Sequence, residues 1–241
     1  DHSDVLQQVV GGSVRWTPSK AVALKLTAGR NTDDSDNFIG ASFANSFTTT
    51  RDSANLQGDF TVANGQVLTA GFDWLRDRAN VIDPWSPFAR SRGNRAAFVQ
   101  YQGKFGAHDL QLGARRDDND QFGGHSTGGI AWGMGFGQGW RVTASHATAF
   151  KAPSFNELYY PGSSNPNLDP ETSRSSELSL GRRGEGWSVQ ANAYQTRVDD
   201  LIAWSSTQFM PVNIQEARIR GVELVATATL AGWNLRGQVG T

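Results

Sequence analysis

The chain has 241 residues, a formal net charge of −1, 27 glycines, no cysteine and 38 % hydrophobic residues. Near-neutral charge leaves no electrostatic footprint for nucleic acid, and the lack of cysteine removes thiolate metal sites and disulfides. The apolar share is thin for a soluble core, and the longest apolar runs, such as Ala21-Val22-Ala23-Leu24, fall far short of the ~20 residues a spanning helix needs.

From the polar start Asp1-His2-Ser3-Asp4, which is no secretion signal, the chain reads as a dozen stretches of alternating apolar and polar residues. The joints between them alternate between short and long. Short joints fall at Trp16–Lys20, Val62–Gln66, Phe105–His108, Phe136–Gly139, Arg183–Gly186 and Leu230–Gly232. Long polar joints fall around Arg30–Phe43, Arg76–Asn94, Arg116–His125, Lys151–Ser175 and Asp199–Asn213. Tight turns on one side and large loops on the other predict an all-β, antiparallel, up-and-down transmembrane β-barrel wall. Because the last stretch runs on to Thr241, residues 1–241 are read as part of one barrel domain, an open arc cut from a longer protein. Its polar face and edges need partners in a bilayer, so the arc is not expected to be stable alone.

The alternation assigns faces. Leu56, Gly58, Phe60 and Val62 oppose Asn55, Gln57, Asp59 and Thr61; Leu68, Ala70, Phe72 and Trp74 oppose Val67, Thr69, Gly71 and Asp73. Further along, Leu110, Leu112 and Ala114 oppose Gln111, Gly113 and Arg115, Val222 and Leu224 oppose Glu223, and Trp233, Leu235 and Val239 oppose Asn234, Arg236 and Gln238. An Arg in mid-bilayer costs ~2–4 kcal/mol, so Gln57, Asp59, Arg115, Asn234 and Arg236 are expected to line the lumen. Trp16, Trp140, Trp187 and Trp233 each border a short joint, where an amphipathic ring suits the membrane boundary. A soluble β-sandwich also places aromatics at turns, but shows similar joints at both ends.

Several motifs tempt toward chemistry. Gly124-His125-Ser126-Thr127-Gly128 has the nucleophile-elbow spacing, but that motif needs a strand-to-helix turn and none is predicted. The alternate glycines Gly133, Gly135, Gly137 and Gly139 lack phosphate-loop spacing and read as room for something packed inside the barrel. His2, His108, His125 and His146 are scattered, so no metal site is expected from them. The acidic runs Asp33–Asp36, Asp117–Asp120 and Asp199-Asp200 read as solvated loop tips rather than calcium loops. Asp83-Pro84-Trp85-Ser86-Pro87-Phe88 and Leu158-Tyr159-Tyr160-Pro161 place aromatics among prolines, which suits capture of a bulky ligand or packing that orders the loops.

Ala149–Phe155, Asn165–Ser173 and Ala217–Glu223 together resemble the signature of TonB-dependent outer-membrane receptors. Arg116–His125 and Asp199-Asp200-Leu201-Ile202 add a resemblance to the cobalamin receptors of that superfamily. The resemblance runs over most of the chain and is weaker before Asn94. It implies a bacterial outer-membrane location, a 22-stranded barrel of which this chain holds roughly strands six to seventeen, an N-terminal plug, and import of cobalamin with TonB-coupled energy. It also implies a monomer in contact with outer-membrane lipid, with no enzymatic step and no cofactor. Ser46 and Thr48 become candidate ligand contacts beside Trp85, Phe88, Tyr159 and Tyr160, and Asp1 falls near a position where some members order outer loops with calcium. A ferric-siderophore receptor is the alternative within the family. A twelve-stranded outer-membrane hydrolase using Ser126 and His125 is the alternative outside it.

Overall fold

The computed structural model describes all residues from Asp1 to Thr241. Twelve strands follow one another: β1 (His2–Ser19), β2 (Val22–Ile39), β3 (Ser42–Ala63), β4 (Gln66–Ile82), β5 (Phe88–Phe105), β6 (His108–Asn119), β7 (Gly123–Phe136), β8 (Trp140–Lys151), β9 (Glu171–Gly184), β10 (Trp187–Ser205), β11 (Met210–Leu230) and β12 (Trp233–Gly240). One short helix, α1 (Phe155–Tyr159), interrupts the series between β8 and β9. Each strand pairs antiparallel with its neighbours in chain order, forming a single sheet.

Only 15 of the 241 residues are buried, so there is no dry interior between two layers, and the sandwich alternative falls. Leu56, Phe72, Val99, Leu112, Ile130, Leu178, Val189, Leu224 and Leu235 are exposed, and the register places them all on one face. The backbone is satisfied within the sheet: 153 of 165 main-chain hydrogen bonds lie inside the regular elements, which is the condition for a strand to cross lipid. At the tight-turn rim, Trp16, Trp140, Trp187 and Trp233 stand on the same outward face. The Arg182 guanidinium lies 5.3 Å from the Trp140 ring and 5.7 Å from the Trp187 ring, a cation held against amphipathic rings at the boundary.

The opposite rim departs from the expected layout. Four of the five long polar joints are strand. β2 and β3 continue to a turn at Gly40-Ala41, β6 and β7 to a turn over residues 120–122, and β10 and β11 to one over 206–209, while β4 and β5 leave only residues 83–87 between them. Polar residues there alternate between water on both faces, so the hydrophobic period vanishes while the ladder continues. Residues 152–170 alone form a long loop.

Gly139 shows how tightly the turn rim is made: its φ is +81°, and a Cβ there would collide with the Arg183 carbonyl oxygen. Gly139→Ala is expected to destabilise the β7–β8 turn by ~1 kcal/mol or more, read as a lower unfolding midpoint of the full-length protein in lipid. Leu112→Arg, on the lipid face, is expected to cost ~2–4 kcal/mol in the same measurement, whereas Gln111→Arg, one residue away on the concave face, is expected to change it little.

Candidate functional site

The concave face carries an ordered ladder of polar side chains. Arg115 on β6 pairs with Asp73 on β4 and with Asp117, 2.9 Å away, on its own strand. Asn55 donates to Asp73 at 2.6 Å, and Asn94 to Asp117 at 2.8 Å. Below them Gln57 and Thr69 both donate to Asp59, at 2.9 and 2.8 Å. Each carboxylate accepts at least two hydrogen bonds from the wall, which lets charge sit on a partly dehydrated surface. The ladder borders a recess of about 520 Å³ lined in part by Asn55, Asp73, Arg115, Gly113, Gly129 and Ala131. The small residues Gly129, Ala131 and Gly133 open β7 on this concave side, facing Ala147, Ser145 and Thr143 of β8; of the alternate glycines noted in the sequence, Gly133 and Gly135 lie on β7, whereas Gly137 and Gly139 form the turn after it. Gln57, Asp59, Arg115, Asn234 and Arg236 all share this face by register.

At the loop rim the segment 152–170 folds inward across the concavity. Pro153 precedes Ser154, whose Oγ accepts from the Glu157 N–H at 3.2 Å while Glu157 Oε2 accepts from the Ser154 N–H at 2.6 Å. This reciprocal capping box starts α1, and Pro161 forces Tyr160 to an extended ψ of 132° that ends it. The helix is pinned to the wall by Arg92 of β5, which donates to the Pro153 carbonyl at 2.7 Å and lies 5.0 Å from the Phe155 ring. Leu158 is 1 % exposed. Tyr159 packs beside Phe88 and Arg90 and accepts from Gln121 at 2.9 Å. Tyr160 stacks on Phe47 of β3, with ring centroids 5.7 Å apart.

The far half of the same segment is tied to β10 and β11. Asn165 donates to the Pro211 carbonyl at 3.1 Å, and Asn213 exchanges hydrogen bonds with the Asp169 backbone at 2.9 and 3.0 Å. Glu171 accepts from the Ile202 N–H at 2.9 Å and from Lys151 at 3.1 Å. A second recess of about 300 Å³ opens beside α1, bordered by Asn31, Asp33, Thr49, Arg51, Asp77 and Arg92, with Arg51 and Asp77 ion-paired at 2.6 Å.

Of the aromatic candidates, Phe88, Tyr159 and Tyr160 are drawn together on the wall by α1, while Trp85 stands apart at the β4–β5 tip, 89 % exposed. Ser46 and Thr48 lie elsewhere. The unbroken β3–β4 register puts them on the same face as Leu56, away from the concavity; Ser46 is 7 % exposed and Thr48 donates to Asp34 at 2.7 Å. Between them Phe47 points to the concave side. Sequence reading missed Phe47, Arg51, Asp77 and Arg92. The inward set of β5 (Arg92, Asn94, Ala96, Phe98, Gln100) keeps a period of two that could have been traced backward from Gln100, but nothing in the sequence marks Arg92 as the residue that holds α1.

Other chemistry does not assemble. Ser126 accepts from Arg116 at 3.0 Å on the outward face, while the His125 ring donates to the Phe122 carbonyl at 3.0 Å and stacks on Phe150, so the two never meet as nucleophile and base. Apart from Asp120, which opens the β6–β7 turn, the acidic runs prove to be strand rather than loop tips, which splits their carboxylates between faces. Asp33 accepts from Gln7 on the concave side and Asp34 from Thr48 on the other. Nowhere do three His, Asp or Glu side chains converge as metal ligands.

The sequence profile described as TonB dependent receptor-like, beta-barrel matches residues 2–241. The chain is 34 % identical over 212 residues to the vitamin B12 transporter BtuB of Photobacterium profundum, covering 84 % of this chain and 34 % of that protein. It is 32 % identical over 182 residues to BtuB of Vibrio vulnificus, covering 73 % and 30 %. Among solved structures, the Pseudomonas aeruginosa ferric enterobactin receptor superposes with a TM-score of 0.80 at 16 % identity, over 95 % of this chain and 42 % of that one. The copper transporter OprC superposes at 0.75 and 18 %, over 98 % and 46 %. The chain thus spans about a third of the length of the curated relatives it matches, and those relatives are transporters and receptors rather than enzymes. Its matched sequence, its single up-and-down sheet and its inward-folded loop together make the chain a member of the TonB-dependent receptor β-barrel family.

Proposed function

We propose that this chain is a barrel-wall segment of a bacterial outer-membrane importer that captures cobalamin at its loop rim and passes it through the lumen with energy coupled through TonB. The observation that carries the reading is the 34 % identity to a vitamin B12 transporter over 84 % of the chain. Capture rests on Phe88, Tyr159 and Tyr160, held by α1, with Trp85 as the outlying aromatic. Their faces suit a large ligand with apolar surface. The arginines at the mouth are already engaged: Arg51 with Asp77, Arg92 with Pro153 and Phe155, and Arg90 with Tyr159. Only Arg51 among them has a carboxylate partner, so the preference for cobalamin over a ferric siderophore rests on the identity to the vitamin B12 transporter rather than on the charge of the mouth. Ser46 and Thr48 act in this scheme through the strand end they stiffen, not as ligand contacts.

Gln57, Asp59, Arg115, Asn234 and Arg236 form the polar lining against which a plug domain, supplied by the rest of the protein, makes its hydrogen bonds. The plug also carries the contact with TonB. Further strands close the barrel, and the receptor works as a monomer. Competition binding on the full-length receptor tests the substrate: cobalamin is expected to bind and a ferric siderophore not to displace it, and the reverse pattern sinks the assignment.

Two further outcomes follow from the mouth. Arg92→Ala removes a charged hydrogen bond and a cation–π contact from α1, and cobalamin affinity is expected to fall roughly tenfold, with the barrel still folded by its resistance to detergent unfolding. The turn bearing Trp85 is organised by Asp83, whose carboxylate accepts the N–H groups of Trp85 and Ser86 at 2.9 and 3.0 Å. Those bonds hold its pKa below the ordinary aspartate value. A lowered folded pKa means the order it confers is present above the unfolded pKa and is lost as pH falls through the folded one. Trp85 fluorescence, taken as the difference from a Trp85→Phe variant, is expected to be flat from neutral pH down to the ordinary carboxylate range and to change only below it. In Asp83→Asn that acid step is expected to disappear.

A further inference from the structure

The ladder between β7 and β8 stops before either strand does. It runs from Phe136 opposite Trp140 to Gly129 opposite Ala147. Beyond that rung β7 stays paired with β6 as far as Gly123, and β8 stays paired with β9 as far as Lys151. Residues 123–128 therefore have a strand neighbour on one side only, and so do residues 148–151. The wall is split at its loop end, with β1 to β7 on one side of the split and β8 to β12 on the other.

At the foot of the split a side chain stands in for the missing rung. Thr148 Oγ1 accepts from the Gly128 N–H at 3.0 Å and donates to the Gly128 carbonyl at 3.3 Å. Main-chain groups two residues apart on a strand point the same way, so Ser126 and Gly124 also turn theirs into the gap, where no rung meets them. β7 leans the other way: a Cβ at Gly128 would lie 2.8 Å from the Gly113 carbonyl oxygen of β6. Higher up, the His125 and Phe150 rings stack across the split with centroids 3.7 Å apart. Gly129 is seven residues from the turn-side end of β7 at Phe136. At ~3.3 Å per residue and a ~40° tilt that is ~18 Å, within the upper part of an apolar band ~25 Å tall. Unpaired main chain at such a depth is tolerated where it borders water. The recess of about 520 Å³ supplies that border, since Thr127, Gly128, Ala147 and Thr148 line it at the foot of the split.

Segment 152–170 joins the two sides across the concavity. Pro153, two residues beyond the end of β8, is held by Arg92 of β5, and Tyr159 by Gln121 of the β6–β7 turn. Phe122 of that turn lies 5.7 Å from the same Arg92 guanidinium. Each of these links is made by a side chain, so none shares the cooperativity of a ladder. We infer that the split is a hinge in the mouth of the barrel, latched by segment 152–170. When Arg92 releases Pro153, β8 swings away from β7 above Gly129, and the recess gains a side opening near the loop-side edge of the bilayer. Opening breaks no rung of the sheet. It costs the Thr148–Gly128 bonds, the His125–Phe150 stack and the Arg92 contacts, all of which re-form on closing. Such a local opening belongs to the low-stability end of a structure, where few main-chain bonds must be given up. The hinge is a property of the receptor without ligand, whichever nutrient it imports.

The test measures distances between paired spin labels in the full-length receptor, reconstituted in lipid, with each pair straddling β8. Ser126→Cys with Thr172→Cys spans the split, because Phe150 pairs with Thr172 and the β7–β8 register carried upward sets Ser126 opposite Phe150. Ile130→Cys with Ser176→Cys spans the intact ladder below it, through His146. Strands two apart stand ~10 Å from each other, so both pairs are expected to report short distances in the otherwise unaltered receptor. Arg92→Ala is expected to add to the upper pair a population longer by about one strand spacing, ~5 Å, and to leave the lower pair unchanged. Thr148→Val keeps the shape of Thr148 without its hydroxyl and is expected to lengthen the upper pair in the same way. It serves if Arg92→Ala fails to fold, as judged by resistance to detergent unfolding. An upper distance that stays fixed in the folded variants overturns the proposal. Equal lengthening of both pairs also overturns it, since that marks a general loosening of the wall.

Discussion

Every main-chain N–H and C=O that lipid surrounds must be satisfied by the protein itself, because no water is at hand to take its place. That single demand governs the rest of the structure. It makes the strands long, joins each to the next in order, and leaves side-chain alternation as the only freedom the sequence has. Apolar residues then go out and polar ones in, and the polar face inherits a second demand, that its charges be met across strands. Arg115 with Asp73 and Asp117, and Asp59 with Gln57 and Thr69, answer it. Those contacts, with Asn94 on Asp117, tie β3, β4, β5 and β6 together on the side where the lipid cannot help.

Where the wall leaves the bilayer the first demand relaxes, and the structure uses the freedom in two ways. Strands run on as water-exposed ribbon, with Thr, Ser, Asn and Asp on both faces. One segment departs from the ladder altogether and turns into the concavity, where a five-residue helix is too short to stand by propensity alone. It is held by its capping box, by Arg92, and by aromatic stacking on β3 and β5. The residues that resembled a family signature, Asn165 to Glu171, serve as fasteners of this segment onto β10 and β11 and touch no candidate ligand position.

The membrane-embedded part of the fold was legible because lipid imposes a period of two on every strand: Leu112 against Arg115, Leu235 against Arg236 and the turn-side tryptophans all lie where alternation put them. Outside the bilayer that signal is absent. A stretch such as Thr32–Asn37 reads as loop because it is polar throughout, yet its backbone continues in register with β1 and β3. The same loss of signal hides the faces at the rim, where the register turns Ser46 and Thr48 outward and Phe47, between them, to the concave side. Phe88, Tyr159 and Tyr160 were visible as aromatics near prolines, but their assembly depends on Arg92, which lies 61 residues before Pro153 in sequence and carries no local mark.

The inward-folded segment is secured at two widely separated places, by Phe47 and Arg92 near one end of the sheet and by Pro211 and Asn213 near the other. A chain stretched between two moorings behaves as a brace. Surface loops ordinarily accept extra residues at little cost, because closure entropy grows slowly with length. This one has no such tolerance, since slack inserted anywhere along it lets one mooring slip and frees α1 from the wall. Length variation among natural versions of this protein should therefore spare residues 152–170 and gather instead at the free turns over 83–87 and 206–209.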